Sequence, residues 1–364
     1  MSREVLKLTI YIGERDRCEG GLLADALMEV YELHSIETAV LLRGIEGFGI
    51  KHRLQTERLL TLSEDLPMLA IAIDAPARIE AALADARTLV RDGLITLERA
   101  VSLDGEDAAN ANALSGHGSE AVKLTVHVGR QERAGPRPAY LEVVDCMRRH
   151  GLAGASVLLG VDGMAHGVRR RGHFFAGNGE VPLMIVSVGE RAGVASALGE
   201  LAAMLARPAM TLERVLVCKR DGRTLAQVQE PPSLDGDGLA YWRKLTVYAS
   251  EQSRAGQAPL YSALVRALRR EGAAGATVLR GIWGYHGDHR PHGERLWSLR
   301  RHVPVLAVVL DTPANSLRWF EIVDELTAET GLVTSELVPA LRAAGPGMDH
   351  GGLRLAAALA PGGE

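Results

Sequence analysis

The chain of 364 residues repeats itself three times, and that repetition constrains its fold more than any local pattern does. Three apolar-polar runs open with Lys7-Leu8-Thr9, Lys123-Leu124-Thr125 and Lys244-Leu245-Thr246, spaced 116 and 121 residues apart. From each lysine, 60, 59 and 60 residues lead to a proline (Pro67, Pro182, Pro304) that starts a nearly continuous apolar run. Near the end of each unit stand Thr96-Leu97-Glu98, Thr211-Leu212-Glu213 and Thr334-Ser335-Glu336. Landmarks in register three times over describe one folding unit used three times.

Within the first unit the order of elements follows from periodicity. Leu6 to Ile12 alternates as a strand does, and Leu23, Ala26, Leu27, Val30 and Tyr31 recur at helical spacing within residues 22–34. Thr38–Leu42 reads as a strand ending at the Arg43-Gly44 corner, and residues 67–74 as a buried strand. Pro76 suits a first helical position, with Ile79, Leu83, Ala86 and Val90 behind it; Asp92-Gly93 stops that helix before a last strand over 94–101. The order βαββαβ is that of a split βαβ unit, with two helices on one face of a four-stranded antiparallel sheet. The expected fold is therefore α+β, three tandem ferredoxin-like units. Unit 1 spans residues 1–103, unit 2 122–219 and unit 3 243–342, with linkers at 104–121 and 220–242 and a flexible tail at 343–364 carrying one helical turn near 353–359. The sheet face away from the helices must be covered, and three equal units predict that these faces meet around a pseudo-threefold axis, giving a monomer built as an intramolecular trimer.

Each unit carries a long loop between its second and third strands: RGIEGFGIKHRLQTERLLTLSEDLP, LGVDGMAHGVRRRGHFFAGNGEVP and RGIWGYHGDHRPHGERLWSLRRHVP. Loops of this length inside compact domains are generally functional. The first loop's Arg43-Gly44-Ile45-Glu46-Gly47-Phe48-Gly49 and Leu62–Pro67, with KLTIYIGERDR at the start and GLITLERA at the end of the unit, resemble the PII-like family known as domain of unknown function 190. The resemblance is close in unit 1, fair in unit 3 and eroded in unit 2. It implies a PII-like pseudo-trimer that binds a small anionic ligand, an adenine or cyclic nucleotide, in clefts between units. It also implies a regulatory role through the loops on a partner such as a membrane channel or transporter, a fluoride channel among them. Three departures stand out. Where the family has a loop histidine, this chain has Gln55, Arg171 and His292; Leu159 replaces the arginine of Arg43 and Arg280; Arg130 replaces the glutamate of Glu14 and Glu251.

The anion-binding candidates are Arg43, Gly44 and Gly47, with Arg280, Gly281 and Gly284, because a guanidinium beside glycines lets backbone and donors approach a phosphate. The alternative is that these glycines only supply positive φ where the chain leaves a strand. Arg91 and Gly93, in the turn before the last strand, are further candidates by the resemblance; an ordinary helix C-cap explains them too. His286, His289 and His292 form HxxHxxH, a candidate zinc set. The rival reading is loop imidazoles without a metal, and the other copies hold no equivalent set. The recurring Glu98, Glu213 and Glu336 fit a strand-pair salt bridge as well as a site. Ser63-Glu64-Asp65 reads as a solvated loop end.

Net charge is −4, which excludes a general nucleic-acid binder, although the loops are locally basic (Lys51, Arg53, Arg58; Arg169, Arg170, Arg171; Arg295, Arg300, Arg301). The three cysteines are widely spaced and suggest no disulfide framework. With no apolar run of signal-peptide or membrane-span length, a cytoplasmic protein is expected. No nucleophile–base pair or phosphate-cradling motif recurs, so an enzyme is not expected. The competing functions are a divalent-metal-binding protein of cation-tolerance type and a ligand-free structural adaptor.

Overall fold

A computed structural model describes residues 3–49, 54–56, 65–103, 121–171, 181–227, 233–286, 292–293, 303–345 and 348–358. Each unit has the expected βαββαβ order. In unit 1 the antiparallel sheet runs Thr38–Arg43, Pro67–Asp74, Arg3–Gly13, Gly93–Leu103, with helices α1 (Leu23–Leu33) and α2 (Pro76–Leu89) on one face. Unit 2 repeats this with α3 (Ala139–Arg149) and α4 (Arg191–Met204), and unit 3 with α5 (Leu260–Arg270) and α6 (Pro313–Leu326). Strand side chains alternate between faces, so Leu6, Leu8, Ile10 and Ile12 pack under α1 and α2. Val40, Leu42, Leu69 and Ile71 point the other way and meet Met184 and Val186 of unit 2 and Leu279 and Leu306 of unit 3 in one shared core. At about 1.5–3 kcal/mol for each fully buried large aliphatic side chain, this shared core is a main source of cohesion. The chain is an intramolecular pseudo-trimer.

Two cycles of strand pairing close it. The end of each last strand crosses to the next unit: residues 101–103 pair with Met210–Leu212, residues 216–220 with Leu332–Ser335, and Ala340–Ala344 with Gly93–Leu97. In the opposite sense, the start of each long loop adds to a neighbouring sheet. Glu46–Phe48 pairs with Ala276–Val278 of unit 3, Trp283–His286 with Gly154–Val157 of unit 2, and Gly160–Ala165 with Thr38–Leu42 of unit 1.

The expectation of a frayed tail is corrected. Residues Ala340–Gly345 and Met348–Gly352 form a hairpin that closes the third junction, and Leu353 and Leu355 then pack against the unit 1 core. Arg99 donates to the Ala356 carbonyl (2.8 Å) and Tyr241 to that of Ala357 (3.0 Å), so the described part of the segment expected as a helical turn is docked and is not helical. The linker expected at 220–242 is also partly built. Arg223–Thr224 turns back onto Lys219–Arg220, and Asp235 accepts from the amides of Leu239 (2.7 Å) and Ala357 (2.7 Å). These stretches have the composition of linkers, but their backbone groups find partners both locally and on other units.

On the axis lies a ring of six charges. Lys7, Lys123 and Lys244 each face the glutamate directly across their own sheet, Glu98, Glu213 and Glu336, at 3.3, 3.2 and 3.1 Å. Each lysine also contacts one further glutamate at shorter range, Lys7 that of unit 2 (Glu213), Lys123 that of unit 3 (Glu336) and Lys244 that of unit 1 (Glu98). The recurring glutamates are therefore strand-pair salt bridges, and they join the units as well. Burial works against ionising Glu213 and Glu98, yet the surrounding ammonium groups hold both below the usual carboxylate range. For Lys123 and Lys244 burial is again the largest influence, and the flanking carboxylates overcome it and raise both. Burial outweighs the same pairing only at Lys7, which is lowered. Every ammonium thus has two carboxylates within ion-pair distance. Replacing Glu213 by alanine should leave buried lysines short of a partner and cost about 3–5 kcal/mol. Chemical denaturation checks this, with the exposed Glu4→Ala expected within about 0.5 kcal/mol of the parent.

Candidate functional site

The two corner arginines are held inside their own units. Arg43 donates from Nε and one terminal nitrogen to the two oxygens of Glu14 (2.8 and 2.9 Å), and Arg280 pairs with Glu251 (3.0 Å). The two departures in unit 2 thus belong together: Leu159 and Arg130 replace both members of one ion pair. The glycines of the corner serve close approach. A Cβ on Gly44 would lie 2.7 Å from the Pro67 ring and 2.9 Å from the Val278 carbonyl; on Gly47 it would lie 2.6 Å from the Ala276 carbonyl. Gly281 repeats this, 2.7 Å from Pro304 and 3.0 Å from the Val157 carbonyl. Positive φ, offered as the plain explanation, applies at Gly284 (152°) but not at Gly44, Gly47 or Gly281. What these glycines admit is the carbonyl edge of the neighbouring unit.

Around these arms further polar contacts cross between units. Ser262 of unit 3 donates to the buried Glu46 of unit 1 (3.0 Å), and burial raises that carboxyl above its ordinary value. Arg169 is clasped by Asp162 (2.7 Å) and reaches Glu32 (3.4 Å) of α1, while Arg171 donates to Asp25 (2.6 Å) of the same helix. Two charges of the basic run in the second loop are therefore spent on docking unit 2 to unit 1.

Between units 1 and 3 opens a cavity of about 1280 Å³. Its apolar wall includes Phe48, Leu54, Trp242, Leu310 and Leu341; Gly13, Gly93 and Gly275 lie flush with it, and Asn315 in the first turn of α6 faces it. Gly93 has φ 149° and a Cβ there would sit 2.7 Å from the Tyr11 carbonyl, so the backbone at this point of the wall calls for glycine. The described lining contains five carboxylates (Asp16, Asp65, Asp92, Asp311, Asp349) and no lysine or arginine. Asp65, near the end of the long loop, accepts from the Arg15 amide in the turn after the first strand (2.8 Å) and from Gln55 within the loop (3.2 Å). Asp311 accepts from the Thr312 amide, from Asn315 (both 2.8 Å) and from the Trp319 indole (2.7 Å).

Of the eight expected anion-binding residues, only Gly93 lines this cavity. Arg91 stands beside it on the surface, paired with Glu19 (3.3 Å). Arg43 and Arg280 lie at the loop bases of different units, and Gly44, Gly47, Gly281 and Gly284 lie inside the two arm junctions. His286 pairs through its backbone opposite Gly154; His289, the His292 side chain, Ser63 and Glu64 fall outside the described residues. Trp242, Asp349 and His350 were not singled out by sequence, and no local pattern marks them. His350 packs edge-on against Trp242 at 5.1 Å, a contact made by the tail.

A layer next to the charged ring holds Tyr11, His127 and Tyr248, equivalent residues of the three units. The His127 ring is fully buried with neither nitrogen hydrogen-bonded within the described chain, and burial, helped by the Lys7 ammonium, depresses it to about 4.

The fold and its junctions define a fused α+β pseudo-trimer with ligand-sized space between its units. Comparison with known families identifies it further: residues 5–101, 121–217 and 242–340 each match the DUF190 family, described as uncharacterized ACR, COG1993, and the chain belongs to that family in three tandem copies. It is similar to a UPF0166 protein of Aquifex aeolicus (strain VF5), 29% identical over 92 residues, which cover 25% of this chain and 86% of that protein. Among the described residues no helix is long and apolar enough to cross a membrane.

Two outcomes follow from this geometry. Gly47→Ala should force the arm off the unit 3 strand and destabilise the protein by about 1–3 kcal/mol in chemical denaturation. For His127, the unfolded imidazole takes up its proton near pH 6.5 and the folded one near 4. The unfolded state therefore binds more protons in that window, and stability falls as pH drops from about 6.5 to 4, by about 3 kcal/mol in full. His127→Tyr, which installs the residue of the other two units, should flatten that part of the stability–pH curve.

Proposed function

We propose that this protein is a non-catalytic, ligand-responsive regulatory protein whose ligand sits in the cleft between units 1 and 3. The observation that carries this is the make-up of the cavity wall: Phe48, Leu54, Gln55 and Asp65, from both ends of the first long loop, face unit 3 residues across it. A molecule held there touches the loop base and the neighbouring unit together, and so favours one loop arrangement over others. Regulation then consists of altered loop contacts with a partner, for which the resemblance to PII-like proteins suggests a membrane channel or transporter. The carboxylates in the wall are engaged in backbone and side-chain hydrogen bonds, which supports binding over catalysis.

The chemistry of the wall refines the expected ligand. Apolar and aromatic side chains with carboxylate acceptors suit a flat, uncharged heterocycle with N–H donors, such as the base of a nucleoside or nucleotide. A phosphate group on such a ligand has to lie toward the cavity mouth, away from the five aspartates. The test is a thermal-shift titration with adenine and guanine nucleosides, their phosphates, cyclic dinucleotides and inorganic phosphate. A nucleoside-class ligand at a hundred times its Kd should add about 2.7 kcal/mol of stability. Asn315→Trp, a change on the exposed side of α6 that fills the cleft, should abolish the effect. A response to phosphate alone that vanishes in Arg43→Ala and Arg280→Ala would instead restore the arginine corners as the site.

A further inference from the structure

The helical side of unit 2 carries a cluster that neither the cleft nor the axis uses. Cys146 in the last turn of α3, His150 at its C-cap and Glu200 on α4 bring a thiol sulfur, an imidazole nitrogen and a carboxylate oxygen within 4.8 Å of one another. The spacing of four residues puts the cysteine and histidine on one helix face, and the glutamate approaches from the facing helix. His150 Nε2 lies 2.9 Å from Glu200, and the thiol lies 3.8 Å from the Ala197 carbonyl. His150 and Glu200 are half-buried, leaving an approach from solvent.

The other units show which part of this cluster is common architecture. Unit 1 has the same interhelical pair, His34 Nε2 to Asp85 at 2.7 Å, and unit 3 bridges its helices with Glu271 and Arg318 at 2.6 Å. At the position of the thiol they carry Val30 and Ala267. An imidazole–carboxylate pair suffices to tie two helices together; unit 2 adds a sulfur donor directly behind it. The alternative acidic cluster, Glu98 with Glu213 and Glu336, is occupied by the three lysine ammonium groups and has no place for a cation.

We infer that Cys146, His150 and Glu200 form a binding site for a zinc-class divalent cation that clamps α3 to α4. Sulfur, imidazole and carboxylate are donors such an ion takes together, with water completing a tetrahedron at the solvent side. In the absence of cation, burial and the neighbouring Glu200 carboxylate raise the thiol to about 12, so metal binding must displace its proton. Arg149, which also contacts Glu200, competes for the same carboxylate and is displaced or shared on binding.

The experiment titrates the full chain with Co²⁺ and Zn²⁺. Co²⁺ should produce a near-ultraviolet sulfur-to-metal charge-transfer band at one equivalent, and Zn²⁺ should bleach it and raise the melting temperature. Cys146→Val, which installs the unit 1 residue, should remove the band and weaken zinc binding at least tenfold, while the parent and variant melt alike in chelator. Val30→Cys should build a second such site beside His34 and Asp85 and double the band. A parent protein that gives no thiolate band, or a Cys146→Val variant that keeps it, overturns the inference. Zinc binding without a thiolate band would point to the histidines of the third loop.

Discussion

Three lysines and three glutamates sharing one buried ring impose the condition that the rest of the structure satisfies. Each lysine has one carboxylate within its own unit and a second, nearer one in another unit. A single unit would present its pair with half of its partners missing, on the same apolar face that must be buried. Buried ion pairs add little net stability against well-packed apolar residues, but removing one partner is costly. Their effect here is on register and assembly. Sliding either strand of a pair by one residue would turn the lysine or glutamate toward the helices and break the ring at two places. Folding of a unit and docking of the three are thereby coupled.

The two strand exchanges use this register. The last strands run on in one sense around the axis and the loop arms run back in the other, so every unit gives and receives at both of its neighbours. The third exchange of last strands is completed by the tail hairpin. Because all three units lie in one chain, each junction can change alone. Unit 2 shows the result: the Arg–Glu pair of the loop base has become Leu159 with Arg130, and its Arg169 and Arg171 bind the acids of α1. A homotrimer would have to place any such change at all three junctions at once.

The sequence made the repeating parts legible because local rules govern them. Proline at the first helical turn, the apolar run of Pro67–Asp74 and the alternation of Leu6–Ile12 appear as strands and helices at the expected places. The ring was visible only as recurrence: the lysine and glutamate stood in register three times, and nothing local says that their second contact crosses a junction. The Gly44 and Gly47 pair was seen too, but its reason is the Pro67 ring together with backbone carbonyls more than 200 positions away, which periodicity cannot reach. The tail was misread for the same cause, since its composition carries no trace of the strand edge it completes. The cavity wall is assembled from eight stretches spread between Tyr11 and His350, so Trp242 and His350 had no signal at all.

The cavity also shows how a resemblance and a local environment can point to different chemistry. The arginine corners suggest phosphate when read as a motif, because guanidinium and glycine are phosphate's usual partners. In three dimensions Arg43 and Arg280 are already bound to glutamates, and the described wall of the adjacent cleft offers oxygen acceptors without a cation. A phosphate there would share the cleft with the carboxylates of its wall, and like charges partly shielded from water repel more strongly than in bulk solvent. The proposed ligand, a neutral ring with N–H groups, avoids that repulsion. Under the proposed function the loop base would select for a ligand's uncharged end, and any charge on that ligand would be read outside the cleft.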